Sequence, residues 1–164
     1  LKTTVERKQY IDLVAAVDRS IPEFVREAGN DITRRARLEA PVDTRELQQS
    51  IVSVPIGRDA VEIVAKSKHA VFLEYGTLGQ QTKPPPVNAV RGWAERHGRD
   101  PWAVVWGIFN RGGIKAQPFM RPAVDEFKKQ AGLMFTRIFR KNALKRTRGR
   151  VMSGYRAARM ARRA

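Results

Sequence analysis

The sequence predicts an α+β fold. A small antiparallel sheet of about three or four strands is packed by a long N-terminal helix and a long C-terminal helix, with a helical insertion before the last strand. Three patterns carry this expectation. Apolar residues recur at helical spacing from Ile21 to Ala36 and again from Ala123 to Ile138, the period of a helix buried along one side. Alternation with a period of two runs through Ile51 to Ala65 and through His69 to Thr77, as in strands. Glycine and proline clusters punctuate the blocks.

Residues 1–19 form an N-terminal segment, with Tyr10, Leu13, Val14 and Val17 on one face of a short helix. Ser20-Ile21-Pro22-Glu23 reads as a fresh helix start: Ser20 caps, Pro22 is tolerated in the first turn, and Glu23 completes a capping box. Ile21, Val25, Ala28, Ile32 and Ala36 continue the stripe, with Arg26, Arg34 and Arg37 among the solvated residues. Pro41 ends the helix, because the residue before a proline is pushed out of the helical region. In the turn Pro41-Val42-Asp43-Thr44, Asp43 or Thr44 can cap the short stretch Arg45–Gln49. Ile51–Ile56 is expected as a strand, Ile56-Gly57-Arg58-Asp59 as a hairpin turn, and Ala60–Ala65 as the return strand.

His69–Thr77 is expected as the central strand. Val71, Leu73 and Tyr75 would fall on one side, Ala70, Phe72 and Glu74 on the other, and Gly76 would stop it. Large side chains on both faces imply cover on both, by a helix and by a neighbouring subunit. Pro84-Pro85-Pro86 forces a loop and opens the insertion, residues 84–113. Val87–His97 reads as a helix with Val90 and Trp93 inward, and a second helix starts at Asp100-Pro101 and breaks at Gly112-Gly113. Ile114–Phe119 is expected as a return strand, placed at an edge by Pro118. From Pro122 the stripe Ala123, Phe127, Ala131, Met134 and Ile138 describes the long last helix. The core domain is thus residues 20–139, and residues 140–164 form a basic extension interrupted by Gly149 and Gly154.

Charge is the strongest compositional feature. Residues 1–127 hold 19 Lys and Arg against all 16 Asp and Glu, whereas residues 128–164 hold 13 Lys and Arg and no acid. Such a block is either a solvated end or an interaction arm, for nucleic acid as the common partner or for an acidic protein surface. The arm would comprise Arg140, Lys141, Lys145, Arg146, Arg148, Arg150, Arg156, Arg159, Arg162 and Arg163. Tyr155 is the only aromatic residue after Phe139, which argues against stacking on single-stranded bases. The absence of cysteine excludes a disulfide framework and a thiolate metal site. No apolar run is long enough for a membrane span and the N-terminus lacks a leader pattern, so the chain is expected to be soluble and made in the cytoplasm.

Catalytic signatures are missing. There is no nucleophile elbow, P-loop, dinucleotide fingerprint or His-Glu-x-x-His. A metal-dependent nuclease would need clustered carboxylates, and Asp43, Asp59, Glu62 and Glu74 are the candidates. His69 reads as a strand-edge residue rather than a base. Glu74 is either a solvated strand residue or a carboxylate at a subunit contact. Trp102 and Trp106, one helical turn apart, point to core or interface packing rather than a ligand box. No catalytic, cofactor or metal residue is assigned.

Three stretches in this order resemble a known family: Ala40-Pro41-Val42-Asp43-Thr44 with Leu47 and Ser50-Ile51; Ala70-Val71-Phe72-Leu73-Glu74-Tyr75-Gly76-Thr77; and Lys115-Ala116-Gln117-Pro118-Phe119-Met120-Arg121-Pro122-Ala123. They look like the tail-component family of long-tailed bacteriophages, the neck or tail-completion proteins of the head–tail junction, including those like the minor tail protein Z. The segment with Trp93 and Gly112-Gly113 is similar to an insertion found in part of that family. Arg45 departs from the pattern, since the family usually has Gly after Asp-Thr.

The resemblance implies a non-enzymatic virion protein forming a homo-hexameric ring around the DNA channel. Its neighbours would be connector or stopper proteins and tail-tube or tail-terminator proteins. It implies structural roles for the motifs: Asp43-Thr44 caps a turn, Gly76 frees the strand end, and Pro118-Phe119 locks the return strand under the last helix. Subunit contacts are expected at Phe72, Glu74, Tyr75, Gly76, Thr77, Pro118 and Phe119.

Overall fold

The computed structural model describes the backbone of residues 7–161 and the side chains of residues 10–144. In chain order the elements are α1 (Arg7–Glu39), α2 (Glu46–Ser50), β1 (Ile51–Pro55), β2 (Val61–Ala65), α3 (Ala70–Tyr75), α4 (Val87–Arg96), α5 (Pro101–Asn110) and α6 (Met120–Ala161). The fold is α+β, with long first and last helices. Among the described residues the sheet has two strands, where three or four were expected. The chain groups into two compact units.

One unit gathers α1 up to Gly29, the hairpin tip Pro55–Glu62 and α6 from Phe127 on. Phe24 lies 6.2 Å from Phe127 and meets Phe135 edge-on at 5.6 Å. Such aromatic pairs add roughly 1 kcal/mol beyond the area they bury. Ala16, Ala28, Phe127 and Ile138 are buried. Polar contacts fix the register of the two helices. Arg137 pairs with Glu27 at 2.6 Å, Lys141 pairs with Glu23, and the buried Asn142 amide donates to Ser20 Oγ at 3.3 Å and to Glu23 at 3.0 Å.

The other unit gathers Asn30–Val54 and Ile63–Glu126. Its core includes Ile32, Ala36, Leu47, Ile51, Val105, Ile108 and Phe119. Helices α4 and α5 pack on each other. Asp100 caps α5 by accepting the Ala103 N–H at 2.9 Å. Near its C-terminus α1 holds the hairpin base: Arg37 donates Nε and Nη2 to the Ile51 carbonyl at 3.0 and 2.7 Å, and Gln48 donates to the Arg37 carbonyl at 2.8 Å.

The structure corrects several expectations. No helix starts at Ser20, because α1 runs unbroken through Pro22. An internal proline leaves the carbonyl four residues earlier without its donor. Here that carbonyl is Asp18, and Arg58 Nη2 donates to it at 3.3 Å while also meeting the Asp18 carboxylate at 2.8 Å. Ser20 is not a cap: it is buried and donates to the Ala16 carbonyl at 2.6 Å.

The expected central strand is helix α3. Ala70 and Glu74, one turn apart, are its buried residues, while Phe72 between them, which a strand would place on the same face, is exposed. The expected return strand Ile114–Phe119 is extended but forms no ladder. It ties to the chain around α3 through Thr77 N–H to Ile114 C=O at 2.8 Å and Gln117 N–H to Leu73 C=O at 2.7 Å. Neither Asp43 nor Thr44 caps α2, whose N-cap is Arg45, without a side-chain bond. Trp93, expected inward, is 41% exposed and stacks on His97, while its neighbour Ala94 is buried. Helix α6 starts at Met120, two residues before Pro122, and continues through Gly149 and Gly154.

Candidate assembly surface

Two of the three shared stretches meet at one corner built from α3, the segment 112–119 and the first turn of α6. The corner begins with a deficit in the sequence. The N-terminus of a helix leaves backbone N–H groups without partners. The residues before α6, Gln117-Pro118-Phe119, supply no Ser, Thr, Asp or Asn to cap it.

Glu74 fills that role from α3. Its Oε2 accepts the N–H groups of Phe119 at 2.8 Å and Met120 at 2.9 Å, and its Oε1 accepts that of Arg121 at 3.1 Å. The Arg121 guanidinium approaches the same carboxylate at 3.5 Å. Burial pushes the Glu74 carboxyl up. The N–H donors of Met120, Phe119 and Arg121, with the Arg121 side chain, outweigh it and hold the carboxyl below its ordinary range. A negative charge here also meets the positive end of the α6 dipole.

Two glycines let the backbones close up. Gly76 ends α3 at φ 69°, and a β-carbon there would lie 2.6 Å from Ala116 N and 2.8 Å from Ile114 O. Gly113, at φ 131°, lies against the Thr77 carbonyl with no room for a side chain. Thr77 adds a side-chain bond, accepting the Ile114 N–H at 3.0 Å.

This scaffold presents an apolar surface. Val71, Phe72 and Tyr75 on α3, and Leu78 just after it, are all more than half exposed. Arg121 sits 5.4 Å from the Tyr75 ring centroid, a cation–π distance, so one guanidinium serves both Glu74 and Tyr75. The sequence-expected contact residues therefore divide. Phe72 and Tyr75 face outward, Thr77 is half-buried, and Pro118 is exposed. Glu74, Gly76 and Phe119 are buried within the chain and hold the corner in shape. Glu74 is thus not a solvated strand residue: it is buried and accepts three N–H groups of its own chain at the start of α6.

Arg121, Val71 and Leu78 were missed by sequence reasoning. The uncapped start before α6 was the available signal that a distant acceptor had to exist.

The other candidate groups do not gather. Asp43 is paired with Arg96, whose Nε donates to Asp43 Oδ1 at 3.3 Å. That hydrogen bond holds the Asp43 carboxyl below its ordinary range. Asp59 lies in the hairpin turn, 3.9 Å from Arg58. Among the described residues no cluster of three or more His, Asp or Glu is placed to hold a metal ion, and no helix is long and apolar enough to cross a membrane. Trp102 and Trp106 are 58% and 50% exposed on α5, which removes the core alternative for them.

Of the basic extension, Arg140 is exposed and Lys141 is engaged with Glu23. The side chains of Lys145, Arg146, Arg148, Arg150, Arg156, Arg159, Arg162 and Arg163 lie outside the described residues.

No curated protein and no solved structure matches the chain. Residues 8–76, which carry most of α1, then α2, the hairpin and α3 with its glycine stop, match the family model described as "Bacteriophage HK97-gp10, putative tail-component", so over this stretch the chain is recognised by the same tail-component family that its motifs resemble.

Proposed function

We propose that the protein is a structural subunit of the bacteriophage head–tail junction. It acts as a neck, tail-completion or tail-terminator-like ring subunit that joins connector to tail around the DNA channel. One observation carries this reading: within the family-matched stretch, α3 exposes Val71, Phe72 and Tyr75 on a corner held by buried hydrogen bonds. A rigid, exposed aromatic patch marks a protein contact, because ordering it on assembly costs little further entropy. The ring, its hexameric count and its connector and tail partners are parts of this proposal.

The test is assembly, read by native mass spectrometry of the full chain alone and with its neighbouring connector and tail proteins. The full chain is expected to form a closed ring. A Phe72→Asp, Tyr75→Asp double variant is expected to remain unassembled while its circular dichroism and melting stay close to the parent's. Unaltered assembly of that variant would overturn the reading.

A further inference from the structure

Within the unit that holds α1 up to Gly29 and α6 from Phe127 on, the two helices run antiparallel, and the seam between them carries both signs of charge. Glu23 pairs with Lys141, and Glu27 pairs with Arg137 at 2.6 Å. The two signs do not sit at one depth. The Glu23 and Glu27 side chains are 17% and 33% exposed, against 52% and 69% for Lys141 and Arg137. The acids lie low in the seam, and the longer basic side chains carry their charge out over them. What faces the solvent here is therefore positive, although each acid has a partner.

Three further cations flank the seam. Arg19 and Arg26 are seven residues apart, two helical turns, so they share one side of α1. Arg140 stands on α6 between Arg137 and Lys141. All three are exposed, and among the described residues no carboxylate pairs with any of them. Asp12, two turns before Arg19, is already engaged. Residues 19–27 and 137–141 together hold five cations, Arg19, Arg26, Arg137, Arg140 and Lys141, against two acids, Glu23 and Glu27. On the side of α1 that holds Arg19 and Arg26, only Pro22 and Glu23 stand between them, and neither is a large apolar group. The exposed apolar residues of this part of α6, Leu133 and Leu144, lie outside the 137–141 stretch.

We infer that this side of the α1–α6 pair is a docking face for the phosphate backbone of duplex DNA, separate from the basic extension. Arg19, Arg26 and Arg140 are its unpaired cations, and Arg137 and Lys141 are held beside them by Glu27 and Glu23. A protein contact needs an apolar centre, whereas phosphates need only charge, and charge is what the face offers. Arg19 and Arg26 stand about 10 Å apart along the helix, and a duplex carries one negative charge per roughly 1.7 Å of its axis, so several phosphates fall within the span. Such binding reads no sequence. The inference deepens the ring reading by naming the side of the subunit that turns to the channel, and it rests on that reading for DNA being at hand.

Fluorescence anisotropy of the full chain with a duplex of arbitrary sequence, between about 50 and 200 mM salt, tests it. An Arg19→Gln, Arg26→Gln, Arg140→Gln variant changes only exposed, unpaired side chains, so its circular dichroism and melting are expected to match the parent's. Its affinity is expected to fall by roughly tenfold or more, and the dependence of log affinity on log salt to become shallower by roughly 2 to 3, the share of three phosphate contacts. A Lys83→Gln, Arg91→Gln, Arg99→Gln variant removes the same charge from exposed sites of the other unit and is expected to keep the parent's slope. Native mass spectrometry of the first variant is expected to show the parent's oligomer, which keeps a failure of this inference apart from a failure of the ring. A slope unchanged in the first variant would overturn the inference, as would an equal loss in the second, or a parent that does not bind the duplex. Loss of assembly with an unchanged slope would do so too, and would make the face a contact for an acidic protein.

Discussion

Arg45 stands at φ 61°, the one non-glycine residue with positive φ among the described residues. A β-carbon in the left-handed region costs about 1–2 kcal/mol. A glycine there, as the resemblance implies for the family pattern, would carry no such cost. Arg45→Gly is expected to raise unfolding stability by roughly 1 kcal/mol or slightly less, since glycine also loosens the unfolded chain. Urea denaturation at neutral pH measures it; a destabilised variant would mean that the exposed Arg45 side chain contributes more than its backbone strain costs. Glu74 works in the opposite sense. Its carboxyl is lowered in the fold relative to the ordinary 4.5. The folded state therefore favours the ionised form, and the associated stability is present above the ordinary value and lost as pH falls through the lowered one. Asp31, held low by Arg35 and Arg34 against its own burial, adds a loss of the same sign. Glu74→Gln is expected to cost roughly 2 kcal/mol at neutral pH, because charge-assisted bonds to the α6 N-terminus become weaker neutral ones. It should also flatten the fall in stability between about pH 5 and pH 2. Urea titrations across that range decide it, and a Gln variant with the parent's acid limb would show that Glu74 is not its source.

Between elements, backbone crossings constrain the fold more tightly than side-chain packing does. At Gly76 the chain leaves α3 against the backbone of Ile114 and Ala116, and neither neighbour can rotate away as a side chain would. Gly76→Ala is expected to cost roughly 3 kcal/mol or more, combining the left-handed φ with the overlap. Gly57, also at positive φ but with open space around it, should lose only the conformational part on Gly57→Ala, about 1 kcal/mol. Thermal melts of the two variants compare them directly; equal losses would mean the crossing is soft.

The same distinction explains what could be read from sequence. Long or sharply bounded elements were legible: the Ile21–Ala36 stripe, the hairpin about Gly57, Asp100-Pro101 opening α5, and Ala123, Phe127 and Ile138 on α6. Helix α3 was not. Its six residues are too few to separate a period of two from one of 3.6, and its helical state is fixed by Glu74 reaching α6 more than forty residues away. The false break at Ser20 has a similar cause, since the carbonyl orphaned by Pro22 finds its donor in Arg58, forty residues on. The site was therefore legible as a motif, His69–Thr77, before its geometry was.

Across the whole molecule, net charge is +16, and residues 145–164 carry eight of those charges with no acid among them. Upstream on α6 the basic residues are partly neutralised within the fold, Arg137 by Glu27 and Lys141 by Glu23. A cut after residue 144 therefore separates two roles cleanly. It keeps Lys141 and Asn142, whose contacts with Glu23 and Ser20 hold the paired helices, and removes the acid-free end. If the protein assembles through α3, the shortened chain is expected to form the same ring as the parent in native mass spectrometry. Its affinity for duplex DNA should fall, and the dependence of log affinity on log salt should become shallower by up to about 7, from counterions that eight cations release. Fluorescence anisotropy with a duplex of arbitrary sequence between about 50 and 200 mM salt gives that slope. A free nucleic-acid-binding protein predicts otherwise: the shortened chain would be monomeric, as the parent would be, and would lose binding altogether. An unchanged slope with intact assembly would move the partner of the basic end from DNA to an acidic protein surface. Such a surface lacks the condensed counterions that make phosphate binding steeply salt-dependent.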